Sequence, residues 1–444
     1  MWVTRRIREI ALSLSVCLLA ASVGCQSTEP APSDSANISS SPYSSMFSIP
    51  STSSEIITET TTVSSVDATT ATSQSTTSSH IISSNKPTSS NSPTQSTAPS
   101  STTPEKPPVK TASAILAQMT LEEKVGQVFM PRCPAKNGAS SIRQYAPAGY
   151  VLFARDFDGK TAAQVRQTLS SYQQASAIPL LLSTDEEGGR VVRVSRNPAL
   201  RYTPFLSPQD VYKAGGFEEV IRDTQEKSRL LLNLGINVNL APVCDVSTDE
   251  NDYIYPRSFG QSAANTAIYI SKVVSTMETE GISGALKHFP GYGNNIDTHG
   301  DIAYDNRPYS QFAEQDFLPF IAGIEQGVPS ILVSHNIVAC MDPHAPASLS
   351  KEVHRVLRET LHFEGVIMTD DLSMGAIKKY TEGRSPAVAA ILAGNDLLLT
   401  SDWETDYAAL LNAVKNGEVP VSRIDDAVTR ILNWKIGKGI IPAV

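Results

Sequence analysis

The sequence predicts an α/β fold, a (β/α)8 TIM barrel over residues 111–444, preceded by a signal peptide and a disordered Ser/Thr/Pro-rich linker. Three observations support that prediction. Short apolar runs alternate with stretches of helical periodicity, ionisable residues stand at the C-terminal ends of most of those runs, and the composition changes abruptly near Thr111. Strands of a parallel sheet are buried on both faces and read as continuous apolar runs, and their alternation with helices marks βα units. A doubly wound open sheet is the competing arrangement. No glycine-rich dinucleotide or phosphate loop follows an early strand, which removes its usual support.

Residues 1–24 read as a signal peptide. Arg5, Arg6 and Arg8 precede an apolar run from Ile10 to Val23, shorter than the roughly 20 apolar residues that a membrane span needs. Ser22-Val23-Gly24-Cys25 resembles a bacterial lipobox, with Ser22 where Leu is usual and Cys25 as the acylated thiol. The expected location is extracytoplasmic, lipid-anchored to the bacterial cell membrane, or secreted if the lipobox is not used. Residues 25–110 are dominated by Ser, Thr and Pro. Such a stretch buries too little apolar area to offset its conformational entropy, so a disordered tether is expected. A net charge of -9 without a basic stripe argues against nucleic-acid binding. A monomer is expected, touching the membrane only through its lipid. Cys133, Cys244 and Cys340 sit among apolar segments and read as buried small hydrophobes, with no zinc-type spacing. No metal or other cofactor is expected.

Within 111–444 the elements follow in order. Thr120-Leu121-Glu122-Glu123 is a capping box opening a helix toward Val125. The expected strands are Val128–Met130, Tyr150–Phe153, Leu180–Thr184, Asn237–Ala241, Gly284–Leu286, Ile331–Ser334, Val366–Thr369 and Leu397–Thr400. Helical periodicity fills the intervals, for example Glu218–Leu234 and Gln311–Gln326. Ser422 and Asp425 are expected to cap a last helix whose Ile424, Val428, Ile431 and Leu432 share one face.

In a barrel of this type the active site forms at the C-terminal strand ends. Arg155, Asp185-Glu186-Glu187, Asp245, Lys287-His288, His335 and Asp370-Asp371 all stand there. One charged residue after a strand is usually a helix cap; six in register describe a polar funnel. Two segments bear reaction chemistry. GVIMTDDLSM, Gly365–Met374, delivers Asp370 on a buried strand, as a carboxylate nucleophile requires. Asp371 points elsewhere as a cap, and the alternative is that both aspartates are caps. KHFPGYGNNIDTH, Lys287–His299, is a Gly/Pro/Asn loop in which Asp297 stands two residues before His299. A His–Asp pair is a usual general acid/base, and the alternative is a surface loop with an incidental histidine. A metal site of His288, His299, His335 and Asp370 lacks the His-x-His expected after the first strand.

With these segments in view, the sequence resembles glycoside hydrolase family 3, in its β-N-acetylhexosaminidase branch and single-domain, lipoprotein form. The resemblance covers about residues 111 to 440. It rests on Met119–Val125, Asp185–Val191, Ala241–Asp245, Arg257–Gly260, Lys287–Gly291 and Thr369–Met374, in the family's order. It implies a retaining hydrolysis in which Asp370 forms a glycosyl-enzyme and His299, polarised by Asp297, serves as acid and then base. It also implies that Asp185, Arg257, Lys287 and His288 hold the sugar, with Asp245 and His335 in support. The carbohydrate substrate it implies is terminal β-linked GlcNAc of peptidoglycan fragments or chitin-type oligosaccharides. A family 3 β-glucosidase or β-xylosidase and a non-catalytic sugar-binding surface lipoprotein are the alternatives. The loop departs from the family pattern by being one residue shorter and by Tyr292 in place of a common His.

Overall fold

The computed structural model describes residues 111–295, 303–381 and 383–442. The expected signal peptide, the tether, Cys25, Asp297 and His299 lie outside the described residues.

The fold is an α/β half-barrel. Its parallel sheet runs in the order β1 (Gly149–Leu152), β2 (Leu181–Thr184), β3 (Val238–Asn239), β4 (Ser283–Phe289), β6 (Ser330–Val333) and β8 (Val366–Thr369). A second, two-stranded parallel pair joins β5 (Tyr304–Asp305) to β7 (Ile337–Val338). Strand order in the main sheet follows chain order without reversal. A doubly wound sheet needs a point where the order reverses, so that arrangement is excluded.

Eight regular strands in a closed barrel were expected; among the described residues the main sheet has six. The first and last expected runs contribute isolated parallel bridges instead: Phe129 to Leu398, Arg132 to Val151 and Met368 to Leu397. Two local causes interrupt their ladders. Pro131 has no amide hydrogen to donate. The Leu399 amide is taken by the Thr369 hydroxyl (3.0 Å) rather than by a carbonyl. β3 is likewise shorter than its expected run and is followed by Pro242.

One buried cluster nevertheless collects residues from all eight expected runs. It includes Met130, Val151, Leu181, Val238, Ala285, Leu332, Met368 and Leu399, closed from below by Ile431 and Trp434 of the last helix. Trp434 donates its indole N–H to Ser283 Oγ (2.9 Å). A larger cluster packs the outer sheet face against the surrounding helices. The Thr120/Glu123 capping box forms as expected and opens the helix Leu121–Gln127. The segment expected at Glu218–Leu234 belongs to Pro208–Leu234, which is kinked at Gly215 and Gly216, just before the expected start.

Two expectations fail locally. The last helix is Val421–Gly437, so Ser422 is its second residue and Asp425 its fifth, and Pro420 occupies the N-cap. Pro at a helix start needs no amide partner, and Asp425 instead pairs with Lys124 (2.8 Å). Ile424, Val428, Ile431 and Leu432 are buried as expected. Cys133 and Cys244 are buried but Cys340 is exposed, because it lies in the turn after β7 rather than under a helix.

Candidate active site

A cleft of about 620 Å³ opens where the sheet strands end, a size usual for small-molecule sites. Asp185, Glu187, Arg257, Lys287, His288 and Asp370 all line it. Thus four of the expected sugar-binding residues and the expected nucleophile meet in one space, although they span nearly 190 positions of the chain.

Asp370 emerges directly from β8, whose four residues are all buried. Its amide donates to the Val333 carbonyl (3.1 Å), which ties it to the end of β6. One oxygen of its carboxylate accepts the Asp371 amide (2.8 Å). Asp371 also lines the cleft, but its carboxylate is taken up by neighbouring protein groups. It accepts the amides of Ser373 (2.9 Å) and Ser401 (3.0 Å) and the Ser401 hydroxyl (2.6 Å). It was expected to cap the following helix; that helix, Gly375–Tyr380, instead has Met374 at its N-cap, and Asp371 fastens the Ser373 turn to Ser401. Burial would raise the Asp370 carboxyl. The electrostatic influence of His335 and His288, the Asp371 amide and Lys287 outweigh it and hold the group below its ordinary value. An ionised carboxylate at neutral pH is what a nucleophile requires.

Lys287 and His288 are adjacent, and in a regular strand adjacent side chains face opposite sides. β4 avoids this with an irregularity. Leu286 pairs with Ile331 and Phe289 with Val333, so three steps on β4 match two on β6. Such a bulge re-aims side chains, and here both Lys287 and His288 face the cleft.

The charged groups are locked together. Lys287 Nζ lies 2.7 Å from Asp185 Oδ1 and 2.6 Å from Glu187 Oε1. Arg257 forks onto Glu187 through Nε (3.0 Å) and Nη2 (2.8 Å), and the same Nη2 lies 3.3 Å from His288 Nε2. His288 Nδ1 meets Asp245 Oδ2 at 2.7 Å. Asp245 also accepts the amides of His288 (3.1 Å) and Tyr292 (2.7 Å), so it orients ring and loop together. Burial alone would raise Glu187 and lower Lys287 and Arg257. Their pairing reverses all three, leaving Glu187 far below the carboxylate range and both cations above their ordinary values. His335 bonds Ser348 Oγ through Nδ1 (2.7 Å) and the Asp371 carbonyl through Nε2 (3.1 Å). Both imidazoles therefore spend both nitrogens on protein partners, which disfavours their use as metal ligands.

Some funnel residues do not reach the cleft. Arg155 turns to the Cys133 carbonyl and lies 3.9 Å from Asp156. Glu186 is buried and accepts the amides of Arg193 (2.8 Å), Val194 (2.7 Å) and Ser195 (3.2 Å), together with the Ser195 hydroxyl. It fixes the loop that follows β2 rather than the ligand.

Other lining residues were not expected from the sequence. Arg132 and Arg193 lie 4.4 and 5.6 Å from the Phe153 ring centroid, and the Nε of each is buried without a hydrogen-bond partner. The only signal for Arg193 was its place on the loop after Asp185. Tyr253 packs on Tyr292 at 5.9 Å, and Tyr292 stands edge-on to His288 at 5.5 Å. The residue that departs from the family pattern is thus buried against the cleft's histidine. Asp297 and His299 lie between the described stems Pro290–Asn295 and Ala303–Arg307.

Comparison with known proteins adds to this geometry. Residues 120–434 match the glycosyl hydrolase family 3 N terminal domain. A β-hexosaminidase of Xanthomonas campestris pv. campestris is 32% identical over 239 residues, which cover 53% of this chain and 71% of that protein. Among solved structures, a family 3 β-N-acetylglucosaminidase from Paenibacillus is 30% identical with a TM-score of 0.67. That match covers 73% of this chain and 64% of that one, just under two thirds. A β-N-acetylhexosaminidase from Beutenbergia cavernae is 28% identical with a TM-score of 0.64, covering 73% of this chain and 99% of that one. The family model spans most of the chain, the relatives agree with it, and the chain belongs to glycosyl hydrolase family 3.

Proposed function

We infer that the chain is a retaining exo-β-N-acetylglucosaminidase, a β-N-acetylhexosaminidase that hydrolyses terminal β-linked GlcNAc. Peptidoglycan fragments or chitin-type oligosaccharides are its proposed substrates. The observation behind this reading is the convergence on one cleft of Asp370 with the Asp185–Lys287–Glu187–Arg257–His288 network. The names of the relatives support the N-acetyl sugar.

In the proposed reaction the Asp370 carboxylate attacks the anomeric carbon as His299 protonates the departing oxygen. A glycosyl-aspartate forms and the aglycone leaves. His299 then takes a proton from water, whose oxygen attacks the same carbon and frees Asp370. Asp297 orients and polarises His299. Asp185, Arg257, Lys287 and His288 bind the sugar hydroxyls, prearranged by mutual pairing, so little reorganisation is required on binding.

The wider proposal keeps three further elements. The eight segments lining the inner core form one (β/α)8 ring, a reading supported by the three bridges and the shared cluster. Residues 1–24 and 25–110 act as signal peptide and tether. Cys25 bears the lipid that holds a monomeric enzyme outside the cytoplasm, or the protein is secreted if that thiol is not acylated.

The test is hydrolysis of an aryl β-N-acetylglucosaminide against the matching β-glucoside. The N-acetyl sugar is expected to be strongly preferred, and Asp370→Asn to reduce turnover by roughly 10³-fold or more. Preference for the plain glucoside would transfer the chain to the β-glucosidase reading. Binding without turnover of either would favour a non-catalytic sugar-binding lipoprotein.

A further inference from the structure

The loop with the proposed acid/base leaves β4 at Phe289 and returns through Ala303 into β5. Its return stem is held by backbone pairing. Ile337 donates to the Ala303 carbonyl and Ala339 to the Asp305 carbonyl, each at 2.9 Å. Its outgoing stem makes local bonds, such as Gly291 to the His288 carbonyl (2.9 Å) and Asn295 to the Tyr292 carbonyl (3.2 Å), and is tied to Asp245 through the Tyr292 amide (2.7 Å). What joins one stem to the other is a buried charged cluster.

Arg307 is the centre of that cluster. Its Nη2 lies 2.7 Å from Asp305 Oδ2 and 3.2 Å from the Gly291 carbonyl, and its Nη1 lies 3.1 and 3.0 Å from the two oxygens of Asp316. The guanidinium carbon also sits 4.3 Å from the centroid of the Phe312 ring. Asn295 adds a second link, donating to Asp305 Oδ2 (2.9 Å) and to the Tyr292 carbonyl (2.8 Å). The sequence leaves room for this. A Cβ on Gly293 would lie 2.4 Å from Arg307 Cζ, and one on Gly291 2.3 Å from Asp316 Oδ1. Both glycines have positive φ, 55° and 128°, so a side chain there is disfavoured by conformation as well as by space. Burial pushes Asp316 up to about 7 even with Arg307 beside it.

We propose that Arg307 is the positioning residue of the acid/base loop: by bonding Gly291, Asp305 and Asp316 together it fixes where the His299 segment starts and ends. This inference rests on the reading of His299 as acid/base. Arg307 lies outside the catalytic cleft, so its effect passes through the loop.

The test compares kcat/KM on N,N'-diacetylchitobiose, whose leaving sugar needs a proton, with the 2,4-dinitrophenyl N-acetylglucosaminide, whose leaving group does not. Arg307→Met in the full chain is expected to lower the first by roughly 10²-fold, the scale of general acid catalysis, and the second by less than about threefold. Asn295→Ala leaves the ion cluster intact and is expected to show the same selectivity at smaller size; it decides the matter if Arg307→Met does not fold. Equal losses on both substrates, or none on either, would overturn the proposal. His299→Ala separates the two readings. If it too loses both substrates equally, the acid assignment falls. If it is selective and the stem variants are not, only the positioning role of Arg307 falls.

Discussion

Glu187 illustrates how a single side chain organises this site. It is almost fully buried, yet it is ionised by two cations, and in return it sets the position of both. Removing one partner of a buried ion pair leaves the others uncompensated, at a cost of about 3–5 kcal/mol. Glu187→Gln is therefore expected to lose stability of that order at pH 7, and kcat/KM with it, as Lys287 and Arg257 lose their common anchor. The pH dependence follows from the direction of the shift. An unfolded Glu187 takes up a proton near its ordinary value of 4.5, whereas the folded one resists it. Its stabilisation is thus complete above that pH and declines as pH falls through the lowered folded value. Urea unfolding at pH 7 and pH 3.5 checks this: the gap between wild type and variant should shrink in acid, and a constant gap would count against it. Asp185, Lys287, His288 and Asp370 were legible because each ends an apolar run. Glu187 stood in the same strand-end cluster, but nothing in its spacing marked it as the partner of Arg257, 70 positions away.

Among the elements, the turn after β2 and the irregularity in β4 do most to shape the cleft. Gly188 has φ 101°, and a Cβ there would lie 2.1 Å from the Leu206 carbonyl oxygen. Backbone cannot yield as the far end of a flexible side chain can. Gly188→Ala is expected to cost more than about 2 kcal/mol in urea unfolding through strain and collision together. Activity should fall as well, since the same turn presents Glu187 and Arg190 to the cleft. Unchanged stability would mean that the turn relaxes freely. The β4 irregularity had no sequence signature. An extra residue in one of two paired strands is defined only by its partner, here β6.

For the molecule as a whole, the last helix closes the sheet and buries a lysine in doing so. Lys435 is fully buried, and its Nζ donates to Gln127 Oε1 at 2.9 Å. Burial brings its ammonium down from 10.5 to about 7. Between those values the unfolded chain holds a proton that the folded chain has released, so the folded state gains stability as pH rises from about 7 toward 10. Relative to Lys435→Met, the wild-type Tm should climb across that interval in a thermal series; a flat difference would show that the amine stays charged inside the protein.

The run of buried strands, the helices between them, the capping box at Thr120 and the ionisable strand ends are local properties. Periodicity and capping depend on neighbours a few positions apart, so the linear order contained them, along with the α/β class and most of the cleft's ionisable residues. The number of regular strands in the sheet, the exposure of Cys340, the diversion of Arg155 and Glu186 from the cleft and the entry of Arg193 and Tyr253 were settled by packing. Each depends on which distant carbonyl, carboxylate or ring arrives beside a given residue, and that is defined only once the chain has closed on itself.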